Sequence, residues 1–212
     1  YVYSGPIAAT AFKTLEGVQR KYRRVVVIGP SHFVPFGGVA LPDAEAFETP
    51  LGDIVLDADA IDRLRGLDAI VTSNEPHRRE HALEVELPFL QVALGDFTLV
   101  PLVTGQATAA EVGAILEAVW DDETLMVVSS DLSHFHDYYT AQRLDAATAG
   151  AIVESRPQDL GKGSACGRLA IQGLMRAAER RGMKLTKLDL RNSGDTAGPR
   201  DEVVGYGAFA AY

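Results

Sequence analysis

The stretch RRVVVIGPSH (Arg23–His32) decides the fold. Its centre, Val25 to Gly29, is short, apolar and β-branched, which reads as a buried strand that Gly29-Pro30 ends. A serine and a histidine follow at once. In layered α/β sheets, ligands gather at the carboxyl ends of strands, where loops carry polar groups. Ser31 and His32 therefore stand where such a fold keeps its chemistry.

The same alternation recurs on moving outward. Short apolar runs at 37–42, 53–57, 68–73, 97–105 and 124–131 read as strands, the fourth interrupted by Pro101. Helical spacing covers 57–66, whose acidic first turn suits the helix dipole, and 107–120. It also covers 81–94, with Leu83, Leu87 and Leu90 on one stripe and Pro88 kinking or dividing the helix. Helices over 138–155 and 166–182 and closing strands over 184–192 and 203–212 complete the order. Strands separated by helices of about 10 to 15 residues indicate one layered α/β domain over residues 1–212. Its central sheet is expected to be mostly parallel or mixed, flanked by helices.

Composition narrows the function. Hydrophobic residues make up 47% and charged residues 23%, ordinary values that supply a core. A net charge of −9 with no basic run argues against nucleic acid and against anionic membrane surfaces. No apolar run approaches the roughly 20 residues that span a bilayer. The one cysteine, Cys166, excludes an internal disulfide and fits a reducing compartment, expected to be the cytoplasm. The chain opens at Tyr1 without a methionine, so residues are expected upstream. GxGxxG after a strand, GxxxxGK[ST], HExxH, CxxC and GxSxG are all absent.

The polar residues cluster at the predicted ends. VVSSDLSHFHDYY (Val127–Tyr139) puts Asp131 and His134 just past the strand Leu125 to Val128. Glu80 and His81 open a predicted helix. Cys166 falls in the first turn of another, where a helix N-terminus lowers a thiol pKa. His32, His81, Asp131, His134 and Cys166 could converge on one site for iron, copper or zinc. Each also has a structural account. Ser31 and His32 could satisfy a turn, and Asp131 could cap a following turn with His134 on the surface. His81 could belong to an exposed helical turn, and Cys166 could be a small buried residue. His136 and Asp137 read as solvated loop, and His77 reads as surface.

Taken in order, GPSH (29–32), FETPLGD (47–53), EHALEVELPFL (80–90), FTLVPLVTG (97–105), VVSSDLSHF (127–135), ACGR (165–168) and the closing NSGD…VVGYGAFA resemble the Memo family. Its bacterial and archaeal members are often called AmmeMemoRadiSam system protein B. The resemblance implies a fold like that of class III extradiol ring-cleaving dioxygenases. Those hold non-haem Fe(II) with two histidines and a carboxylate at a sheet edge, and in the Memo family a cysteine stands for the carboxylate. By motif, His32 and Cys166 become metal ligands, while His81, Asp131 and His134 line the pocket as catalytic groups. The family's other ligand histidine falls two positions before residue 1. The implied cofactor is Fe(II) or Cu, with zinc less favoured, and the implied chemistry is redox or dioxygenase-like on an unknown small-molecule substrate. A metal-dependent hydrolase or metal carrier, and a non-catalytic module binding a peptide or small anion, are the alternatives. The family name implies an AMMECR-type protein and a radical SAM protein as partners.

Overall fold

The expected strand at Val25 is an inner strand of a five-stranded sheet. The computed structural model describes residues 1–212, the side chain of Arg20 excepted. In chain order it forms α1 (Gly5–Phe12), β1 (Arg24–Pro30), β2 (Val39–Leu41), β3 (Ala46–Phe47), β4 (Ile54–Val55), α2 (Ala58–Arg65), β5 (Ile70–Thr72), α3 (Glu75–Arg78) and α4 (Leu87–Leu94). There follow β6 (Thr98–Thr104), α5 (Ala109–Val119), β7 (Thr124–Val128), β8 (His134–His136), α6 (Tyr138–Val153), α7 (Arg168–Arg180), β9 (Leu185–Asn192) and β10 (Val203–Ala211).

The main sheet runs β5-β2-β6-β1-β7. β1 pairs in parallel with β6 and β7, and β2 pairs in parallel with β5 but antiparallel with β6. The expected α/β fold with a mixed, mostly parallel central sheet flanked by helices is thus observed. Every residue of β1 from Val25 to Pro30 is buried, as a strand covered on both faces requires. A second sheet, β8-β10-β9, is antiparallel, and β3 and β4 form a separate small pair.

Two local readings are corrected. Pro101 does not interrupt its strand: β6 is continuous, with Pro101 opposite Val27. The Leu99 carbonyl accepts from the Asp57 N–H and the Thr104 carbonyl from the Ser31 N–H. By alternation, Pro101 turns its nitrogen away from β1, towards β2, and β2 pairs only at Val103 and Thr104. The missing donor falls where no ladder bond is needed. The helix expected over 81–94 begins only at Leu87, with Pro88 in its first turn, where the lost N–H costs nothing. Residues 82–86 are turns. Residues 5–12, which carried no expectation, are helical with Pro6 in the first turn.

The principal core gathers Val25–Ile28, Leu99, Leu102 and Val103 from the sheet with Leu64 of α2, Leu90 of α4 and Leu116 of α5. The stripe Leu83, Leu87 and Leu90 is buried in it, although only the last two are helical. Among the described residues no helix is long and apolar enough to cross a membrane.

Candidate functional site

His32, two residues past β1, and β7 along its length and at its exit border a cavity of about 870 Å³. That size suits a small ligand. His32, His81, Asp131 and Cys166 all border it. Four of the five expected side chains therefore share one cavity. His134 does not border it, but stands behind Asp131, Nε2 to Oδ2 3.6 Å. At that length the contact is an ion pair rather than a hydrogen bond.

His32 is held by Glu80, which also borders the cavity. Glu80 is buried, and its two oxygens accept from the His32 N–H at 2.7 Å, the His81 N–H at 3.0 Å and the Ala82 N–H at 3.1 Å. The same carboxylate sits 2.9 Å from His32 Nδ1. That contact fixes Nδ1 as the donor and leaves Nε2 with its lone pair free, the arrangement of a histidine prepared to bind a metal or take a proton. Burial pushes the Glu80 carboxyl up, but the hydrogen bonds from the His32 ring and from the His32 and Ala82 backbone outweigh it and hold it below the usual range. Glu80 and His81 do not start a helix as expected; they lie in the turn between α3 and α4. Glu80 instead gathers the N–H groups of that turn, so it organises a loop. His81 is exposed, with Nδ1 2.7 Å from Glu84 and its ring edge-on to Phe33.

Cys166 lies one residue before the N-cap Gly167 of α7, not in the first turn. Its sulfur accepts from the Asp131 N–H at 3.2 Å and lies 3.6 Å from Ser130 Oγ. Burial pushes the thiol up rather than down, with the negative charge of Asp131 adding to the effect. Gly167 permits the approach, because a Cβ there would stand 2.8 Å from Ser130 Cβ and 2.9 Å from the Ser129 carbonyl. The Gly167 N–H donates to Ser130 Oγ at 2.8 Å, so the polar exit of β7 is what docks the cysteine loop.

Asp131 does not cap a helix. The capping aspartate is Asp137, whose side chain accepts from Tyr139 and Thr140 at the start of α6. His136 is exposed, as expected. His134 belongs to the short strand β8, and its pKa is raised, chiefly by Asp131. His77 is not a surface residue. Its Nε2 lies 3.2 Å from the Ala40 carbonyl, and burial pushes its pKa down to about 4.

Two groups at the cavity carried no expectation. Glu86 is partly buried and borders the cavity; Ser129 donates to it at 3.1 Å. Burial and the charge of Asp131 push its carboxyl up to about 7, against the pull of the Ser129 hydroxyl. Tyr206 of β10 is pushed up to about 12 by burial and by Asp131. The sequence signal for Glu86 was weak, a third carboxylate in EHALEVE one residue ahead of a helix. Tyr206 gave none, because its position depends on how β10 meets the end of β7.

One carboxylate thus biases four neighbours. Asp131 favours the protonated forms of Glu86, Cys166, His134 and Tyr206 together. Among the described residues no group of three His, Cys, Asp or Glu side chains is placed to hold a metal ion.

Fold and site define an α/β protein with a cavity beside β7 and the exit of β1, lined by His32, His81, Asp131 and Cys166. Comparison makes the assignment specific. A family model described as Memo-like protein matches residues 1–210, and the chain belongs to that family. It is 32% identical over 226 residues to the MEMO1 family protein Ta0237 of Thermoplasma acidophilum, covering 99% of this chain and 81% of that one. It is 34% identical over 222 residues to a MEMO1 family protein of Aeropyrum pernix, covering 98% and 79%. The uncharacterized protein JW3007 from Escherichia coli K12 superposes with a TM-score of 0.62 over 97% of both chains at 17% identity, a likeness of fold alone.

Proposed function

We propose that the cavity is an enzyme site for a small polar or aromatic substrate, and that it is built to receive a non-haem metal, Fe(II) or Cu, with redox or dioxygenase-like chemistry. The observation that carries this reading is geometric: His32, His81, Asp131 and Cys166, expected from separate segments of the sequence, border one cavity, with an imidazole and a sulfur among them as donors of the kinds that Fe(II) and Cu take.

The donors present fit in kind. His32 offers Nε2 because Glu80 holds Nδ1, and Cys166 offers a sulfur at the cavity wall. In number they are two, whereas a catalytic metal site ordinarily has three protein ligands. The family pattern puts the third on a histidine upstream of Tyr1, so the proposal concerns protein that carries it. A bound Fe(II) or Cu would supply Lewis acidity and, with O₂, oxidising power.

The chain's own groups have distinct tasks. Glu86, at about 7, can give or take a proton at working pH. Asp131 steadies the charged form of His134, which is half-exposed and can pass a proton to water. Tyr206 keeps its proton and can donate a hydrogen bond to a substrate oxygen. Phe33, with Arg79 5.0 Å from its ring centroid, and His81 form an exposed rim suited to an aromatic or anionic substrate. An AMMECR-type and a radical SAM protein remain proposed partners on the family name alone.

The test is anaerobic titration of the protein with its upstream residues by Fe(II) and Cu, followed by O₂ uptake with catechols. Stoichiometric binding lost in His32→Ala and Cys166→Ala, with substrate-dependent uptake, is the expected result. Binding without any O₂ dependence would move the reading to a hydrolase or carrier. No binding, with a peptide or anion retained in the same cavity, would move it to a binding module.

A further inference from the structure

A second cavity, of about 410 Å³, opens beside the first, and among the described residues Cys166 alone borders both. Pro30 and Thr104, the last residues of β1 and β6, line it together with Leu169 and Ala170 from the first turn of α7. Its charge runs against that of the rest of the chain. Acidic residues outnumber basic ones by 29 to 20, yet no carboxylate among the described residues borders this cavity, whereas Lys162 and Arg168 do. The Arg168 guanidinium donates to Gln172 at 3.0 Å, and Gln172 is buried and donates in turn to the Pro157 and Leu160 carbonyls. One cation is therefore held in place by a neutral amide.

Three donors on this side of the sheet lack acceptors. A Cβ on Gly29 would meet Ala82 and Leu83 at 3.0 and 3.1 Å, so Gly29 faces the turn between α3 and α4, and Pro30, next along the strand, faces the other way. Thr104 is in register with Pro30, so its side chain also points to the α7 side, into the cavity. Thr104 is only 6% exposed, and its hydroxyl has no hydrogen-bond partner among the described residues. Such a group is rare in a well-packed strand and points to an acceptor that arrives from outside. The other two donors belong to α7, a helix of 13 residues that no side chain caps. The Gly167 N–H is taken by Ser130 Oγ, and the Arg168 N–H turns back to the Ala165 carbonyl at 3.4 Å. The N–H groups of Leu169 and Ala170 bond to neither the Ala165 nor the Cys166 carbonyl, nor to any other described group. With the helix dipole behind them they favour an anion. Val34, Pro35 and Phe36 add an apolar wall, the Phe36 ring closing over Gly105, where a Cβ would stand 2.9 Å from it.

We propose that this cavity binds a small organic acid, its carboxylate on the Leu169 and Ala170 N–H groups and the Thr104 hydroxyl, its apolar body against Phe36. Three neutral donors and one steadied guanidinium match two oxygens and a single negative charge. A phosphate dianion brings a third oxygen and a second charge, for which the site has only the exposed Lys162. That lysine serves instead to draw an anion in from solution. An acid bound here lies beside Cys166, the wall shared with the first cavity. The enzyme reading above thereby gains a substrate class, carboxylic acids with an apolar or aromatic body. That clause alone rests on the reading, since the binding itself needs neither metal nor turnover.

The experiment is calorimetric titration of the metal-free protein, carrying its upstream residues, with benzoate, acetate and inorganic phosphate, while amide resonances are followed alongside. Benzoate is expected to bind one-to-one, about tenfold or more tighter than acetate because its ring is buried, and tighter than phosphate. The Leu169 and Ala170 amides should shift on binding. Thr104→Val and Arg168→Gln should each weaken benzoate about tenfold, and Lys187→Gln, on the exposed side of β9, should not. Without ligand, Thr104→Val should melt no lower than wild type, because it removes a hydroxyl that has no partner; a purely structural hydroxyl would lower Tm instead. No saturable binding of benzoate, affinity unchanged in Thr104→Val, phosphate bound more tightly than benzoate, or shifts confined to Asp131 and Tyr206 in the first cavity would each overturn the proposal. Benzoate binding of the expected kind in a protein that takes up neither Fe(II) nor Cu would uphold this site while the metal reading fell.

Discussion

Replacing Glu80 by glutamine tests whether one buried carboxylate builds the loop that presents His32. The substitution keeps the volume and removes the charge. Oε2 takes one N–H, from His32, while Oε1 faces His32 Nδ1 and the N–H groups of His81 and Ala82. A glutamine has one oxygen, so its best orientation keeps the Oε1 set and turns an NH₂ towards the His32 N–H. One buried donor left facing another costs about 1–3 kcal/mol, and the bonds that remain fall from charge-assisted to neutral strength. We therefore expect a loss of roughly 3 kcal/mol at pH 7, or roughly 6–12 °C in Tm for a chain of this size.

The pH dependence supplies the sign. The folded Glu80 carboxyl titrates below its ordinary value, so its contribution is complete above the unfolded value of about 4.3 and is lost as pH falls through the folded one. The difference between wild type and Glu80→Gln should therefore shrink below about pH 4. Urea denaturation at pH 7 and pH 4, with Glu84→Gln as control, measures it. Glu84 pairs with His81 at the surface and should cost no more than about 1 kcal/mol. A Glu80→Gln protein within about 0.5 kcal/mol of wild type at pH 7 would refute the claim that this carboxylate organises the loop.

Other expectations follow from the same geometry. Glu86 is a carboxyl whose folded pKa is raised, so wild type should lose stability as pH climbs from about 4.3 through 7; Glu86→Gln should abolish that slope and be the more stable protein at pH 8 by on the order of 2–3 kcal/mol, measured by denaturation across that range. Asp131→Asn should lower the His134 pKa, followed by imidazole resonances against pH, and an unmoved titration would remove Asp131 as its main influence. Cys166 should react with iodoacetamide at pH 7.5 more slowly than free cysteine, because burial holds its thiol protonated; faster alkylation would contradict the geometry. Gly167→Ala should push the cysteine loop off Ser130 and lower Tm, and an unchanged melting curve would show that the contact is loose.

What the sequence disclosed, and what it hid, divides along a physical line. Strand exits were legible because a β-branched run ending in Gly-Pro or in SSD has few other readings, and His32 and Asp131 lie at those exits. Fine placement near helix starts was not. EHALEVE has helical spacing, yet Glu80 draws the backbone donors of His32, His81 and Ala82 onto one carboxylate, and a local side-chain competitor of that kind favours turns over helix. Cys166 was read either as a thiol in the first turn of a helix, lowered by the helix N-terminus, or as a small buried residue; it lies before the N-cap, where burial pushes the thiol up. Asp131 and Asp137 look alike in sequence, and only the start of α6 shows which one caps. Glu86 and Tyr206 depend on long-range pairing that no local pattern carries.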